Sequence, residues 1–472
     1  MGVFRLQAVA DGQPICVNDV RCALGSGMDS IESAEGSRSG GEGAPGRLVK
    51  RYVAAATIGN ALEFYDFITY AFFAIQIGHA FFPQTSAYGS LMLSLATFGA
   101  GFITRPIGGI VIGAYSDQVG RKSAMMLSFM LMGAAIIVMA LIPTYARIGI
   151  AAPILAVTAR MVQGFSLGGE VGPTTAYLLE SAPPRSRGLA VSWQGASQAI
   201  ASATASIVAF VLAAILPSAA LGDYGWRIAF LLGAVTLPFG LWIRRGLPET
   251  LHKPEVHAIS TTSSARALNV VKENARIITL GLVILASGTI GTYVFNYMAT
   301  FAQGTLKMPP LAAFAGNMAQ SVTGLVAVLF GGWLSDRIGR RPVMIVPRLM
   351  NLVLVLPIFY WVVESRSAFA LIVGPSLMTT IGGIGGGALY ASLSESLPKR
   401  VRGGTFATMY ALSIAVFGGT TQLVLTWLIH VTGNPLAPAY YLFAALAAGT
   451  IAALLILESA PVRVVPKAVL AQ

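Results

Sequence analysis

The chain has 472 residues and a mass of 49.3 kDa, with 55% apolar and 11% charged residues and a mean hydropathy of +0.72. A soluble domain carries roughly 25% charged residues, so this composition excludes a water-facing enzyme, nucleic-acid binder or disulfide scaffold of this size. It fits a polytopic membrane protein, and the formal charge of +12 must be read through the places where its basic residues fall.

Residues 1–46 form a Gly/Ser-rich tail with no apolar run, expected to be neither a signal peptide nor a packed domain. Leu6 stands where a myristoylation signal needs Ser or Thr. The two cysteines, Cys16 and Cys22, both lie here, so no disulfide is expected to hold the body together. Two explanations stand side by side: an over-long start with initiation at Met28, or a genuine disordered tail.

A bilayer span needs about 20 apolar residues, and hydropathy places six spans at about 53–76, 90–114, 123–143, 152–179, 189–216 and 227–243. Six more follow at about 277–302, 311–334, 342–363, 368–393, 404–428 and 438–458. The expected fold is all-α and integral to the membrane, with twelve transmembrane helices. Its expected domains are a six-helix bundle over 47–243, a polar linker over 244–276, a second bundle over 277–460 and a short tail over 461–472.

With the N-terminus inside, the inner loops hold 21 basic residues and the outer loops four, Arg147, Arg227, Lys307 and Arg366. That bias predicts cytoplasmic termini and turns the basic excess into a topology signal, not a nucleic-acid patch. The absence of a cleavable leader and the inside termini lead us to expect a bacterial inner membrane.

Two loops repeat. Gly113-Ala-Tyr-Ser-Asp117-Gln-Val-Gly120-Arg121-Lys122 after span two returns as Gly332-Trp-Leu-Ser-Asp336-Arg-Ile-Gly339-Arg340-Arg341 after span eight, 219 residues on. Glu180-Ser-Ala-Pro-Pro-Arg185-Ser-Arg187-Gly188 returns as Glu395-Ser-Leu-Pro-Lys-Arg400-Val-Arg402-Gly403, 215 residues on. The spans are therefore read as two parallel six-helix repeats, an arrangement that puts a substrate path between them near the midplane. In each loop the carboxylate is expected to take hydrogen bonds from the following helix N-terminus and to pair with a nearby arginine. Gly113 is expected to let helices approach closely, and Gly120 to allow a tight turn. The loops are expected to act in gating, as a latch that holds the halves together in the inward-closed state and breaks as they rock; the alternative is that Arg121 and Lys122 only set topology.

Charges inside spans carry more information, because an ionisable group at the bilayer centre costs roughly 2.5–3.5 kcal/mol or more and usually faces a cavity or partner. Glu63 and Asp66 lie three apart on one face of span one. Two carboxyls that close cannot both stay ionised, which is the property of a proton coupler; the competing explanation is a fixed ion pair with Arg105 or Arg160. Glu170 is either a second proton site or a packing partner.

Arg105 and Arg160 keep their charge and can each bind a carboxylate bidentately. Arg105 is expected to bind substrate or to neutralise a span-one acid. Arg348 is expected to lie too near the cytoplasmic edge to count. Asn60, Tyr65, Gln163, Gln194 and Gln198 in the first half, and Tyr293, Asn296, Tyr390 and Ser392 in the second, are polar candidates for an oxygen-rich ligand. Any one of them is more often an interhelical hydrogen bond. Gly382–Gly387 in span ten permits close packing or local unwinding. No pair among His79, His252, His257 and His430 has metal-ligand spacing, and neither a metal nor another cofactor is expected.

The Gly-x-x-x-Asp-x-x-Gly-Arg-Lys/Arg loops resemble the signature of the major facilitator superfamily. Within it, Gly59-Asn60-Ala-Leu-Glu63-Phe-Tyr65-Asp66, Arg105-Pro-Ile-Gly108-Gly109 and Arg160-Met-Val-Gln163-Gly164-Phe-Ser-Leu-Gly168-Gly169-Glu170 are similar to the metabolite:proton symporters. Phe81-Phe82-Pro83 and Phe98-Gly-Ala-Gly-Phe102 look most like the citrate and tricarballylate carriers of that group. The resemblance implies proton-coupled uptake of an organic anion by alternating access, by a monomer in the bilayer, with no enzymatic step and no nucleic acid. It ties Arg160 to coupling. Proton-coupled uptake of a zwitterion such as betaine or proline is the alternative, and a ligand sensor without translocation is the alternative of another class.

Overall fold

A computed structural model describes residues 57, 60–61, 64–83, 86–119, 121–168, 178–179, 182–245, 274–397 and 402–460. The tail over 1–46, most of the expected linker and the tail over 461–472 lie outside the described residues.

Span one is helical over 64–72 and continues as α1 (Ala74–Phe81). Next come α2 (Ala87–Ile103), α3 (Arg105–Val119), α4 (Arg121–Leu141), α5 (Ala151–Leu167), α6 (Arg187–Ile215) and α7 (Trp226–Arg245). The second set is α8 (Ala275–Gly304), α9 (Pro310–Ile338), α10 (Arg340–Ser365), α11 (Ala368–Ser396), α12 (Arg402–Ser413), α13 (Gly419–Thr432) and α14 (Ala437–Leu455). Eight helical stretches among the described residues are long and apolar enough to cross a membrane, and Met126–Leu141 and Ala151–Leu167 are shorter apolar ones. Span two is Ala87–Tyr115 with a break at Thr104. Span eleven is α12 and α13 joined by a π-helical turn at Ile414–Gly418, which hydropathy does not register.

Helices in a bilayer gain little from burying apolar surface, so close approach depends on small residues. A Cβ at Gly164 would collide with the Gly101 carbonyl, one at Gly108 with Phe165, and one at Gly168 with the Arg105 carbonyl, so α5 lies directly on α2 and α3. A Cβ at Gly387 would meet the Val328 carbonyl and one at Gly331 the Ile384 carbonyl, which seats α11 on α9. The Gly382–Gly387 run therefore serves packing inside one continuous helix, and no unwinding occurs there.

Among the described residues a Cβ at Gly113 would meet nothing within 4 Å, and residues 169–177, which follow the Gly109–Gly168 contact in the chain, lie outside the described residues. Its repeat partner Gly332 is a point of close approach, facing Ser192 and the Gly188 carbonyl of the first set. Gly339 joins α9 to α10 at φ +106°, a conformation that favours glycine. Gly120 lies outside the described residues.

Candidate functional site between the two helix sets

Asp66 and Arg160 form a buried ion pair. An Arg160 Nη1 hydrogen bond reaches Asp66 Oδ2 at 3.1 Å, with both side chains wholly buried, and a second reaches Gln163 Oε1 at 2.6 Å. The competing explanation for Asp66 is thus the geometry observed, and Arg160 and Gln163 are engaged with it. Asp66 Oδ1 and Arg160 Nε and Nη2 have no hydrogen-bond partner among the described residues.

Aromatic rings complete the surroundings. The Arg160 guanidinium lies over Phe67 at 4.1 Å, Tyr70 at 4.5 Å and Phe98 at 5.4 Å. That of Arg105 lies over Phe102 at 4.2 Å and Phe67 at 4.4 Å. Such contacts offset part of the cost of a desolvated cation. Asp66, Phe67 and Tyr70 fall on adjacent turns of one helix, and Gly101 lets the Arg160 backbone come close enough to meet them.

A cavity of about 310 Å³ lies beside this cluster, between the two sets. Phe67 and Phe98 belong both to its wall and to the rings around Arg160, so one aromatic layer is shared by the two. Its polar lining comes from Gln198 and Ser202 of α6 and, in the second set, Tyr293, Asn296, Gln320, Ser321, Arg348, Asn351, Thr379, Tyr390 and Tyr410. Two hydrogen bonds cross it, Gln198 Nε2 to Tyr410 Oη at 3.0 Å and Ser202 Oγ to Ser321 Oγ at 2.7 Å.

Of the residues expected from sequence, Tyr293, Asn296, Tyr390 and Gln198 line the cavity. Asn60, Tyr65, Gln163, Gln194, Arg105 and Arg160 do not. Asn60 donates to Ser197 Oγ at 2.5 Å and Tyr65 to the Ala229 carbonyl at 2.9 Å, the interhelical hydrogen bonds weighed against ligand contact. Gln194 is buried and Ser392 lies in the packed interior. Glu63 and Glu170 lie outside the described residues.

Arg348 corrects the sequence expectation. It lies eight residues, about 12 Å at 1.5 Å per residue, along α10 from Arg340, and it faces the cavity instead of the helix end. It is the one charged side chain on the cavity wall among the described residues, and no described carboxylate pairs with it. Counting helical rise from Gly339 would have found it.

The two sets meet at both ends of the cavity. At the end carrying the repeated loops, Asp336 accepts hydrogen bonds from the Gly188 and Leu189 backbone N–H groups, each at 2.8 Å, and pairs with Arg340 at 2.7 Å. The helix it caps is therefore α6 of the other set, not the helix that follows it, as expected from sequence. That helix, α10, is capped by Glu458, which accepts from the Arg340 and Arg341 N–H groups at 2.9 and 3.0 Å. Glu395 holds the Arg340 guanidinium through two bonds of 3.1 Å. Sequence inspection found Glu395 only as part of a repeat, without its partner, and missed Glu458, because both are helix-end acids whose partners are remote in the chain.

Arg341 also reaches the Leu454 carbonyl. The side chains of Asp117, Arg121 and Lys122 lie outside the described residues. At the opposite end Gln76 donates to Gln303 at 3.1 Å and Tyr88 stacks on His430 at 3.7 Å.

The sequence profile of the Major Facilitator Superfamily matches residues 56–418. The chain belongs to that superfamily. Its curated relatives include the citrate-proton symporters of Salmonella typhi, 35% identical over 83% of this chain and 90% of the relative, and of Klebsiella pneumoniae, 36% identical over 84% and 89%. A putative proline/betaine transporter of Staphylococcus aureus (strain COL) is 32% identical over 84% of this chain and 86% of its own. Among solved structures, a D-xylose-proton symporter superposes with a TM-score of 0.70 at 18% identity, covering 88% of this chain and 98% of its own. This Major Facilitator protein is thus a multi-pass membrane transporter of twelve helices in two six-helix repeats, and not an enzyme.

Proposed function

We propose that the protein is a proton-coupled symporter of an organic anion, citrate or a related tri- or dicarboxylate, working by alternating access. The observation that carries the anion assignment is the cavity wall, which holds a guanidinium and no carboxylate among the described residues. The similarity to two citrate-proton symporters supports the same reading.

Asp66 is the proton site. Ionised, it neutralises Arg160; protonated, it releases a guanidinium that can bind a substrate carboxylate once the aromatic layer shifts. Proton and anion then enter together, because the anion competes with the ionised form of Asp66 for the same cation. Arg105 supports the anion from behind Phe67 and Phe102. Tyr293, Asn296, Tyr390 and Gln198 hydrogen-bond its oxygens. The bundles over 47–243 and 277–460 rock about this site, with the latch at Asp336 closing the cytoplasmic end and both termini cytoplasmic in a bacterial inner membrane. The path runs within one chain, so the working unit is a monomer.

The zwitterion alternative draws on the aromatic rings. Phe67 already carries both guanidiniums, and Arg348 would repel a quaternary ammonium, so the same cavity favours an anion.

Purified protein in liposomes with an alkaline interior should accumulate radiolabelled citrate, and a protonophore should abolish the accumulation. Asp66→Asn should keep citrate exchange but lose uphill uptake. Gradient-driven uptake of betaine or proline without citrate uptake would replace this reading with the zwitterion one.

A further inference from the structure

We propose that Arg348 and Asn351 form a subsite that reads a 2-hydroxycarboxylate unit, with Arg348 taking the carboxylate and Asn351 Oδ1 accepting from the hydroxyl on the adjacent carbon. This rests on the organic-anion reading above and narrows it to one chemical class.

The two residues are three apart on α10, so they share a face, and both line the cavity. Arg348 has no described carboxylate partner, and one hydrogen bond of 3.4 Å reaches the Gly449 carbonyl of α14. A Cβ at Gly449 would collide with Ser287 and would only touch Nη1, at 3.6 Å, so the glycine serves the packing of α14 on α8. A guanidinium keeps its charge at any working pH, so the cost of holding it in this interior is offset only when an anion arrives.

Asn351 is 4% exposed. Its amide orientation is set by donation from Nδ2 to the Met378 carbonyl at 3.1 Å, which turns Oδ1 away from that helix. Oδ1 is buried without a hydrogen-bond partner among the described residues. Buried acceptors are normally satisfied, so an unpaired one belonging to a residue of the cavity lining calls for a donor that the occupant can bring. A carboxylate cannot supply that proton, whereas a hydroxyl can. A cation and an acceptor one helical turn apart match the charge and the O–H of a hydroxy acid.

Citrate and tricarballylate test this directly, because they share the three-carboxylate skeleton and differ in the one hydroxyl. The measurement is kcat/KM for each in proteoliposomes, for the wild type, Asn351→Leu, Arg348→Gln and Arg348→Lys. The wild type should prefer citrate. Asn351→Leu should reduce that preference at least tenfold, mainly by raising KM for citrate and leaving tricarballylate close to its wild-type value. Arg348→Gln should raise KM for both at least tenfold, and Arg348→Lys should recover part of it.

Thermal unfolding of the ligand-free variants separates a binding role from a packing role. Arg348→Gln should melt no lower than the wild type and should lose citrate-induced stabilisation. A wild type that transports both acids equally, or a preference unchanged in Asn351→Leu, overturns the subsite while leaving organic-anion symport standing. Uptake of neither acid by the wild type overturns both.

Discussion

Arg160 sits at the point where the cost of burying charge and the need to move charge meet. Its guanidinium is fully buried, and its partners are one carboxylate oxygen, one amide oxygen and three ring faces. Removing one member of a buried pair leaves the other uncompensated, which typically costs about 3–5 kcal/mol. Arg160→Leu should therefore lower the melting temperature in detergent markedly, and Arg160→Leu combined with Asp66→Asn should recover a large part of the loss. A double variant no more stable than Arg160→Leu alone would mean that the pair contributes little and the rings most. This pairing was only half legible. The sequence placed three acids, Glu63, Asp66 and Glu170, and two arginines at membrane depth, but α3 and α5 are equally near in the chain pattern, and only packing across Gly101 and Gly164 brought Arg160 to Asp66.

At the scale of helices, the repeated loops act across the two sets. Asp336 takes both of its backbone hydrogen bonds from the first turn of α6, where free N–H groups and the helix dipole favour a carboxylate. A Cβ at Gly188 would collide with the Arg340 guanidinium, Ser335 Oγ and the Gly332 carbonyl. Gly188→Val should wedge this end open, and Asp336→Asn should weaken it by removing charge-assisted bonds worth about 1.5–3 kcal/mol each. Thiol labelling of single cysteines placed on the cavity wall, in a background with Cys16 and Cys22 replaced by Ser, should rise at least fivefold from the side that carries the repeated loops in both variants. Unchanged labelling would show that the packing of α6 on α9 holds the end closed without the latch. Glu458→Gln should leave α6 untouched and instead loosen α10, because its bonds go to the first N–H groups of that helix.

Over the whole molecule, the two sets touch at both ends of the cavity, and alternating access requires one end to open while the other holds. Cysteines at Gln76 and Gln303, joined by a short bifunctional thiol reagent, should arrest uptake, with activity returning after reduction of a cleavable linker. Persistent uptake in the joined protein would remove that contact from the gate. The driving force follows from charge. Each coupled proton brings about 1.36 kcal/mol per pH unit and each net charge about 2.3 kcal/mol per 100 mV. An inside-negative potential therefore opposes the entry of a trivalent anion if fewer than three protons accompany it, and draws it inward only if more than three do. A potassium diffusion potential imposed at equal pH should speed uptake in that case and leave it unchanged for a three-proton cycle.

The sequence by itself determined the membrane solvent, the span pattern, the twofold repeat and the superfamily, because each depends on composition and spacing along the chain. It also singled out Asp66, Arg160, Tyr293, Asn296 and Tyr390, since polar groups are costly at membrane depth and few in number. Only the tertiary structure decided which arginine meets Asp66, that Asn60 and Tyr65 are spent on neighbouring helices, and that Gly332 packs against α6 of the other set. It alone turned Arg348 from a loop-edge cation into a cavity residue and set Asn351, three residues on, against the same cavity. Those outcomes depend on helix rotation and on which glycines let two backbones touch. Both are set by contacts between residues more than fifty positions apart, which no local pattern records.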